Sequence, residues 1–270
     1  MSSQNFLTEF VTPEFLAANK PHRQGAVDEY HGTNIADPYR WLEDLSDPET
    51  QAWIAEQKNR TNTYFQTLPG FQQILAELTA IWDYPKYTVP EKHAERYFFG
   101  YNSGLQHQYV FLMQEGLHGV PRVIFDPNTK SSDGTIAVHT TFYSHDGTLM
   151  AYGLSESGSD WQDLHIRRID DGYEYPEVLH WTRYSQIAWL PDNAGFYYSR
   201  YPATGTVAPE DQTHFQRVYF HQLGTPQAAD RLVFEQPEAK ERLFYPRITD
   251  DGVYLLLRVT QGTAPENRWY

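Results

Sequence analysis

The sequence predicts a mainly β chain, with N-terminal amphipathic helices over residues 1–83 followed by a partial β-propeller over residues 84–270. Three observations carry that prediction. After Trp82-Asp83-Tyr84-Pro85 the apolar period changes from about 3.6 residues to about 2. A turn signal then recurs ahead of apolar-aromatic runs. Aromatic residues make up 16% of the chain, led by 20 Tyr and 15 Phe, and such side chains favour pleated sheet.

The helical part has readable ends. Asp47 is placed to cap a helix with Pro48 at its first position, and Trp53, Ile54, Thr61, Tyr64, Phe65 and Leu68 recur at helical spacing. Pro69-Gly70 ends that helix. Phe71, Ile74, Leu75, Leu78, Ile81 and Trp82 form a second stripe, and a shorter helix is expected over Pro13–Asn19. Each helix is apolar on one face and needs a partner surface.

The repeat reads SHDGTLMAYGL at 144–154, LPDNAGFYYSRY at 190–201 and TDDGVYLLLRV at 249–259. Its glycines, Gly147, Gly195 and Gly252, stand 48 and 57 residues apart, and AERYFFGYN at 94–102 is a weaker copy. A period of roughly 50 residues with a tight turn between two strands is a propeller-blade signal. Inner strands are expected at Ile136–Phe142, Gln186–Trp189 and Tyr245–Ile248. Third strands are expected at Gln108–Met113, Leu164–Ile169 and Arg217–Gln222, and fourth strands at Val123–Phe125, Glu177–Leu179 and Leu232–Phe234. A β-sandwich is the competing architecture. Asn267-Arg268-Trp269-Tyr270 reads as the start of another strand, giving about three and a half blades. Propellers close with about 4–8 blades, so the chain reads as the front part of a larger protein.

Composition excludes several function classes. No cysteine is present, which removes disulfides, thiolate metal sites and a cysteine nucleophile, and fits a reducing, cytoplasmic setting. A formal charge of −14 repels nucleic acid and anionic lipid, and no window is apolar enough to span a membrane. Gly153-Leu154-Ser155-Glu156-Ser157 approaches a nucleophile elbow, but its fifth residue is Ser and it sits at a propeller strand. His31, His107, His139, His165 and His180 lack metal-ligand spacing, and no phosphate-binding glycine motif occurs. Glu43/Asp44 and Asp250/Asp251 sit in cap and turn contexts. No catalytic residue, metal site or cofactor is therefore assigned.

The strings DEYHG (28–32), DPYRWLED (37–44), WDYPKY (82–87), YNSGLQHQ (101–108), FDPN (125–128), SSDGT (131–135), AYGLSESGSDW (151–161) and GFYYSRYP (195–202) together resemble the prolyl oligopeptidase family. The resemblance runs from about Tyr30 to Tyr270, and WDYPKY with GLSESGSDW is its most specific part. It implies a seven-bladed propeller and an α/β-hydrolase domain, on which the N-terminal helical segment packs. It also implies a serine endopeptidase that cleaves short peptides after proline, with the propeller restricting access to the active site. The Ser, Asp and His of that family's triad lie in the hydrolase domain, which is absent from this chain. The implied partners are short proline-containing peptides and that C-terminal domain.

Site residues follow from the same resemblance. Arg268, in Asn-Arg-Trp-Tyr, matches an arginine that contacts substrate. Tyr184, in RYSQIAW, matches a Phe lining an outer apolar pocket, to which the hydroxyl adds polarity. Leu243 matches a further pocket residue within a divergent string, ERLFYPR. Asp160, in SGSDW, matches an aspartate that faces the hydrolase domain and can pair with an arginine there. The residues alone would make Arg268 an edge charge, Tyr184 blade core and Asp160 a turn residue. A non-catalytic propeller scaffold is the alternative function, and the helices before the first blade speak against it.

Overall fold

The computed structural model describes residues 25–131 and 134–270. The expected helix at Pro13–Asn19 lies outside the described residues. The chain divides into two compact units, the first ending at Leu78 and the second running from Thr79 to Tyr270.

The first unit opens with a hairpin where the sequence pattern suggested helix. Strands β1 (Ala26–Tyr30) and β2 (Thr33–Asp37) pair antiparallel, from Ala26 opposite Asp37 to Tyr30 opposite Thr33. The two residues between them, His31 and Gly32, both have positive φ, 51° and 79°, as a type I′ turn requires. Arg40 joins the ends of the hairpin by pairing with Asp28 and Asp37. Helix α1 (Pro48–Thr67) starts where the Asp47 carboxylate accepts a 2.8 Å hydrogen bond from the Glu49 amide. Gly70, at φ 81°, turns the chain into α2 (Phe71–Trp82), and Phe65 stacks on Phe71 across that turn at 5.7 Å. The Thr50 hydroxyl donates to the Trp41 carbonyl oxygen, and Trp41 meets Trp53 edge-on. Ile74, Leu75 and Leu78 on α2 remain about half exposed.

The second unit consists of successive antiparallel sheets. The first contains β3 (Lys86–Tyr87), β4 (Glu91–His93), β5 (Arg96–Asn102), β6 (Val110–Glu115) and β7 (Arg122–Phe125), with β3 and β4 both pairing with β5. The second contains β8 (Ile136–Tyr143), β9 (Leu149–Glu156), β10 (Gln162–Arg168) and β11 (Leu179–Thr182), in sequential order. The third contains β12 (Ile187–Trp189), β13 (Gly195–Arg200), β14 (Arg217–Gln222) and β15 (Arg231–Phe234), again sequential. The last is β16 (Arg242–Ile248), β17 (Leu255–Gln261) and β18 (Arg268–Trp269). This is the meander of propeller blades: the first sheet has five strands, the second and third have four in sequential order, and the last has three.

Stacking of sheet on sheet forms the core. Phe98, Met113, Ile124 and Phe125 of the first blade meet Tyr143, Met150, Tyr152 and Ile169 of the second. Leu149, Leu164, Ile166 and Leu179 of the second meet Trp189, Phe196 and Tyr198 of the third. Val218 of the third meets Phe244, Leu257 and Val259 of the fourth. Each large side chain removed from water contributes about 1.5–3 kcal/mol, so every joint between blades is a hydrophobic interface in its own right.

Two details depart from the sequence pattern. Gly147 and Gly252 occupy their turns at φ 67° and 71°, each amide donating back three residues, to Ser144 and Thr249. In the third blade the equivalent amide is that of Asn193, which donates to Leu190 at φ 58°. Gly195 instead lies inside β13, where a Cβ would collide with the His221 carbonyl oxygen and the Phe220 ring. The turn residue is thus Asn, which tolerates left-handed backbone, and the glycine serves a close strand approach. The second departure is β11, which begins at Leu179 rather than Glu177. The Glu177 carboxylate instead accepts a 2.7 Å hydrogen bond from the Gly224 amide of the next blade.

Candidate substrate-binding site

The loops joining β9 to β10 and β11 to β12 bring Asp160 and Tyr184 together. The Tyr184 hydroxyl donates to Asp160 Oδ2 at 2.8 Å, and Arg183 Nη2 donates to the same oxygen at 2.7 Å. These two donors hold the Asp160 carboxyl below the usual carboxylate range, the tyrosine first and the arginine second. The Arg183 guanidinium also lies over the rings of Tyr184, at 5.0 Å, and Trp161, at 5.8 Å. Tyr184 has φ 50°, a conformation that strains a bulky residue by about 1–3 kcal/mol, and the hydrogen bond at its far end helps to fix it.

Tyr184 and Leu243 line one open cavity of about 610 Å³, with Arg183, Tyr201, His214 and Glu241. Its wall comes from the β11–β12 loop, the long β13–β14 connection and the start of β16. Burial pushes the Tyr201 hydroxyl up to about 12, so it stays a protonated donor. His214 Nδ1 is 3.1 Å from Asp211, which also accepts from Lys240 at 2.7 Å. The cavity thus offers aromatic and aliphatic wall with a few polar groups, the chemistry of a side-chain pocket.

Arg268 stands apart from that cavity. It sits on β18 opposite Val259, and the Tyr270 hydroxyl beside it is held below its usual range by hydrogen bonds from Gln236 and then Arg268. The structure therefore groups Asp160 with Tyr184, and Tyr184 with Leu243, but does not bring Arg268 to them. Sequence reasoning missed Arg183, which touches both Asp160 and Tyr184, and Tyr201. Arg183 directly precedes Tyr184, but its 23-residue separation from Asp160 gives no sequence signal.

No serine side chain among the described residues is hydrogen-bonded to a histidine. Ser155 lies within β9 opposite Ala137, 2% exposed, with no partner for its Oγ. Histidines meet carboxylates at several points, as His180 does Asp163 at 2.7 Å, and buried His221 does both Asp230, at 2.7 Å, and Glu177, at 3.8 Å. Among the described residues no group of three His, Asp or Glu could hold a metal ion, and no helix is long and apolar enough to cross a membrane. This arrangement can bind and orient a ligand, and among the described residues it holds no nucleophile–base pair.

Comparison with known proteins identifies relatives. Residues 19–270 match the family model described as the prolyl oligopeptidase N-terminal β-propeller domain. Prolyl oligopeptidase A of Galerina marginata is 35% identical over 261 residues, covering 86% of this chain and 35% of the relative. The prolyl endopeptidase of Elizabethkingia meningoseptica is 37% identical over 239 residues, covering 88% of this chain and 34% of the relative. A solved prolyl endopeptidase structure superimposes with a TM-score of 0.80 at 28% identity, over 93% of this chain and 37% of its own. Prolyl oligopeptidase B of Galerina marginata bound to a 35-residue substrate gives 0.73 at 27%, over 93% and 38%. The chain spans about a third of the length of the curated relatives it matches. It belongs to the prolyl oligopeptidase N-terminal β-propeller domain family.

Proposed function

We propose that the chain supplies the N-terminal and propeller portion of a prolyl oligopeptidase, a serine endopeptidase that cleaves short peptides after proline. The observation that carries this reading is the family match over residues 19–270, together with relatives named as prolyl oligopeptidases and endopeptidases. In this reading the reaction belongs to a C-terminal α/β-hydrolase domain, and residues 1–83 pack on it. Tyr184 and Leu243 form the wall of a pocket for an apolar substrate side chain. Arg268 donates its planar guanidinium fork to a substrate carbonyl, a task for which that group is suited. Asp160 faces the hydrolase domain, with Arg183 and Tyr184 already holding its carboxylate in place. The enzyme works in the cytoplasm, and the propeller admits short peptides only.

Release of a chromophore from an N-blocked Gly-Pro substrate tests the reading. The 270-residue chain alone is expected to show no turnover. Joined at Tyr270 to the part of the Elizabethkingia meningoseptica enzyme beyond the matched region, it is expected to gain turnover that a serine-directed inhibitor abolishes. Turnover by the chain alone, abolished by that inhibitor, would place a nucleophile in this chain. A well-folded joined protein without turnover would favour a binding scaffold.

A further inference from the structure

The inner strands of all four sheets share a second cavity of about 370 Å³, within the range of small-molecule sites. Glu91 and His93 come from β4, Thr141 from β8, Ala188 from β12 and Arg247 from β16. Two opposite charges line it, both open to solvent. Among the described residues the Arg247 guanidinium has no ion pair and no hydrogen bond. Glu91 meets only His93, whose Nε2 is 3.8 Å away. Burial holds the His93 imidazole below its usual value, with Glu91 acting in the opposite direction. His145, also on the wall, is already committed to the Trp189 carbonyl oxygen at 3.0 Å. Glu91 and Arg247 do not pair with each other. A cavity lined by both a carboxylate and a guanidinium has the charge complement of a zwitterion.

We propose that this cavity binds a small zwitterion, an amino acid or a short peptide with both termini free. Its ammonium meets Glu91, and its carboxylate meets Arg247. The guanidinium fork suits a carboxylate because two parallel N–H groups reach its two oxygens. Trp189 and Phe142 give the site an apolar flank, and Gln186 and Thr141 offer neutral polar groups beside it. The proposal stands independently of the peptidase reading, because it uses none of the residues placed in the Tyr184 pocket.

Calorimetric titration of the 270-residue chain with alanine, trialanine, N-acetyl-trialanine and trialanine amide tests it. Alanine and trialanine separate a free amino acid from a short peptide as the source of the zwitterion. Blocking either terminus is expected to weaken binding roughly ten- to hundredfold, as loss of a charge-assisted hydrogen bond does. R247Q is expected to weaken trialanine by a similar factor and to bind it no better than its amide. E91Q is expected to abolish the distinction between trialanine and its acetylated form. Both positions are exposed, so the variants keep the fold, which circular dichroism checks. R247K, which keeps the charge without the fork, is expected to fall between. Equal binding of blocked and free peptides, binding unchanged in R247Q and E91Q, or no binding of either zwitterion would overturn the proposal.

Discussion

Replacing Phe98 with alanine removes a large ring from the joint between the first two blades, and the structure sets the size of the loss. Phe98 is 1% exposed and stacks on Tyr143 with ring centroids 4.0 Å apart and planes 17° from parallel. The turn glycine of the second blade, Gly147, closes over the edge of its ring, so the site cannot collapse without moving that turn. Truncating a buried phenylalanine costs about 3–5 kcal/mol through lost transfer energy and the cavity left behind. The upper half of that range applies here, because the stacked partner adds about 0.5–1.5 kcal/mol beyond area. A total stability of about 5–15 kcal/mol makes this a large fraction, and in a chain of this size Tm should fall by about 10 °C. Urea and thermal unfolding followed by circular dichroism measure it, with Leu117→Ala as control. Leu117 is 69% exposed and should change stability by less than about 0.5 kcal/mol. A Phe98→Ala loss no larger than the control's would refute the blade-to-blade packing.

Other perturbations test particular contacts. Gly195→Ala should destabilise by about 1–3 kcal/mol, because its methyl meets the His221 carbonyl and the Phe220 ring; a neutral effect in unfolding experiments would show that β13 and β14 are not so close. The Asp146 carboxyl is held down at about 2, burial pushing it up but hydrogen bonds from Asn193, Ser144 and Thr148 prevailing. Stability from this group is therefore complete above its ordinary value of 3.8 and is lost as pH falls toward about 2. With solvent screening that amounts to about 1 kcal/mol, so D146N should trail the parent chain by that much at pH 6 and match it below pH 2, as denaturant titrations at the two pH values would show. Tyr184→Phe should barely change stability but should raise the Asp160 carboxyl toward its ordinary value; an unchanged carboxyl titration by carbon NMR would disprove the contact.

Helix boundaries were legible because local chemistry imposes them. Asp47-Pro48 starts α1, Pro69-Gly70 ends it, and the apolar stripe of α2 ends at Trp82, all as the pattern indicated. Strand alternation and turn spacing likewise revealed the blades, because one face of each sheet must be buried. The β1–β2 hairpin escaped notice because its turn is His-Gly rather than Asn-Gly and its strands remain largely exposed, which leaves no apolar alternation to read. Gly195 reads as a turn residue in the sequence because glycine allows both a left-handed turn and a close approach, and only the backbone distinguishes them. The Asp160–Arg183–Tyr184 contact was out of reach for another reason: it joins two loops, and no periodicity links loop residues that fold brings together.

In the proposed reading, this chain brings substrate-binding groups to a reaction carried out by another domain. The most direct test of that reading is kcat/KM of the joined enzyme for an N-blocked Gly-Pro substrate, with Arg268 and with alanine in its place. Losing a charge-assisted contact made to the substrate predicts a fall of roughly ten- to hundredfold with an unchanged melting curve. An unchanged kcat/KM in a well-folded R268A enzyme would rule out a substrate contact and return Arg268 to an edge charge on β18.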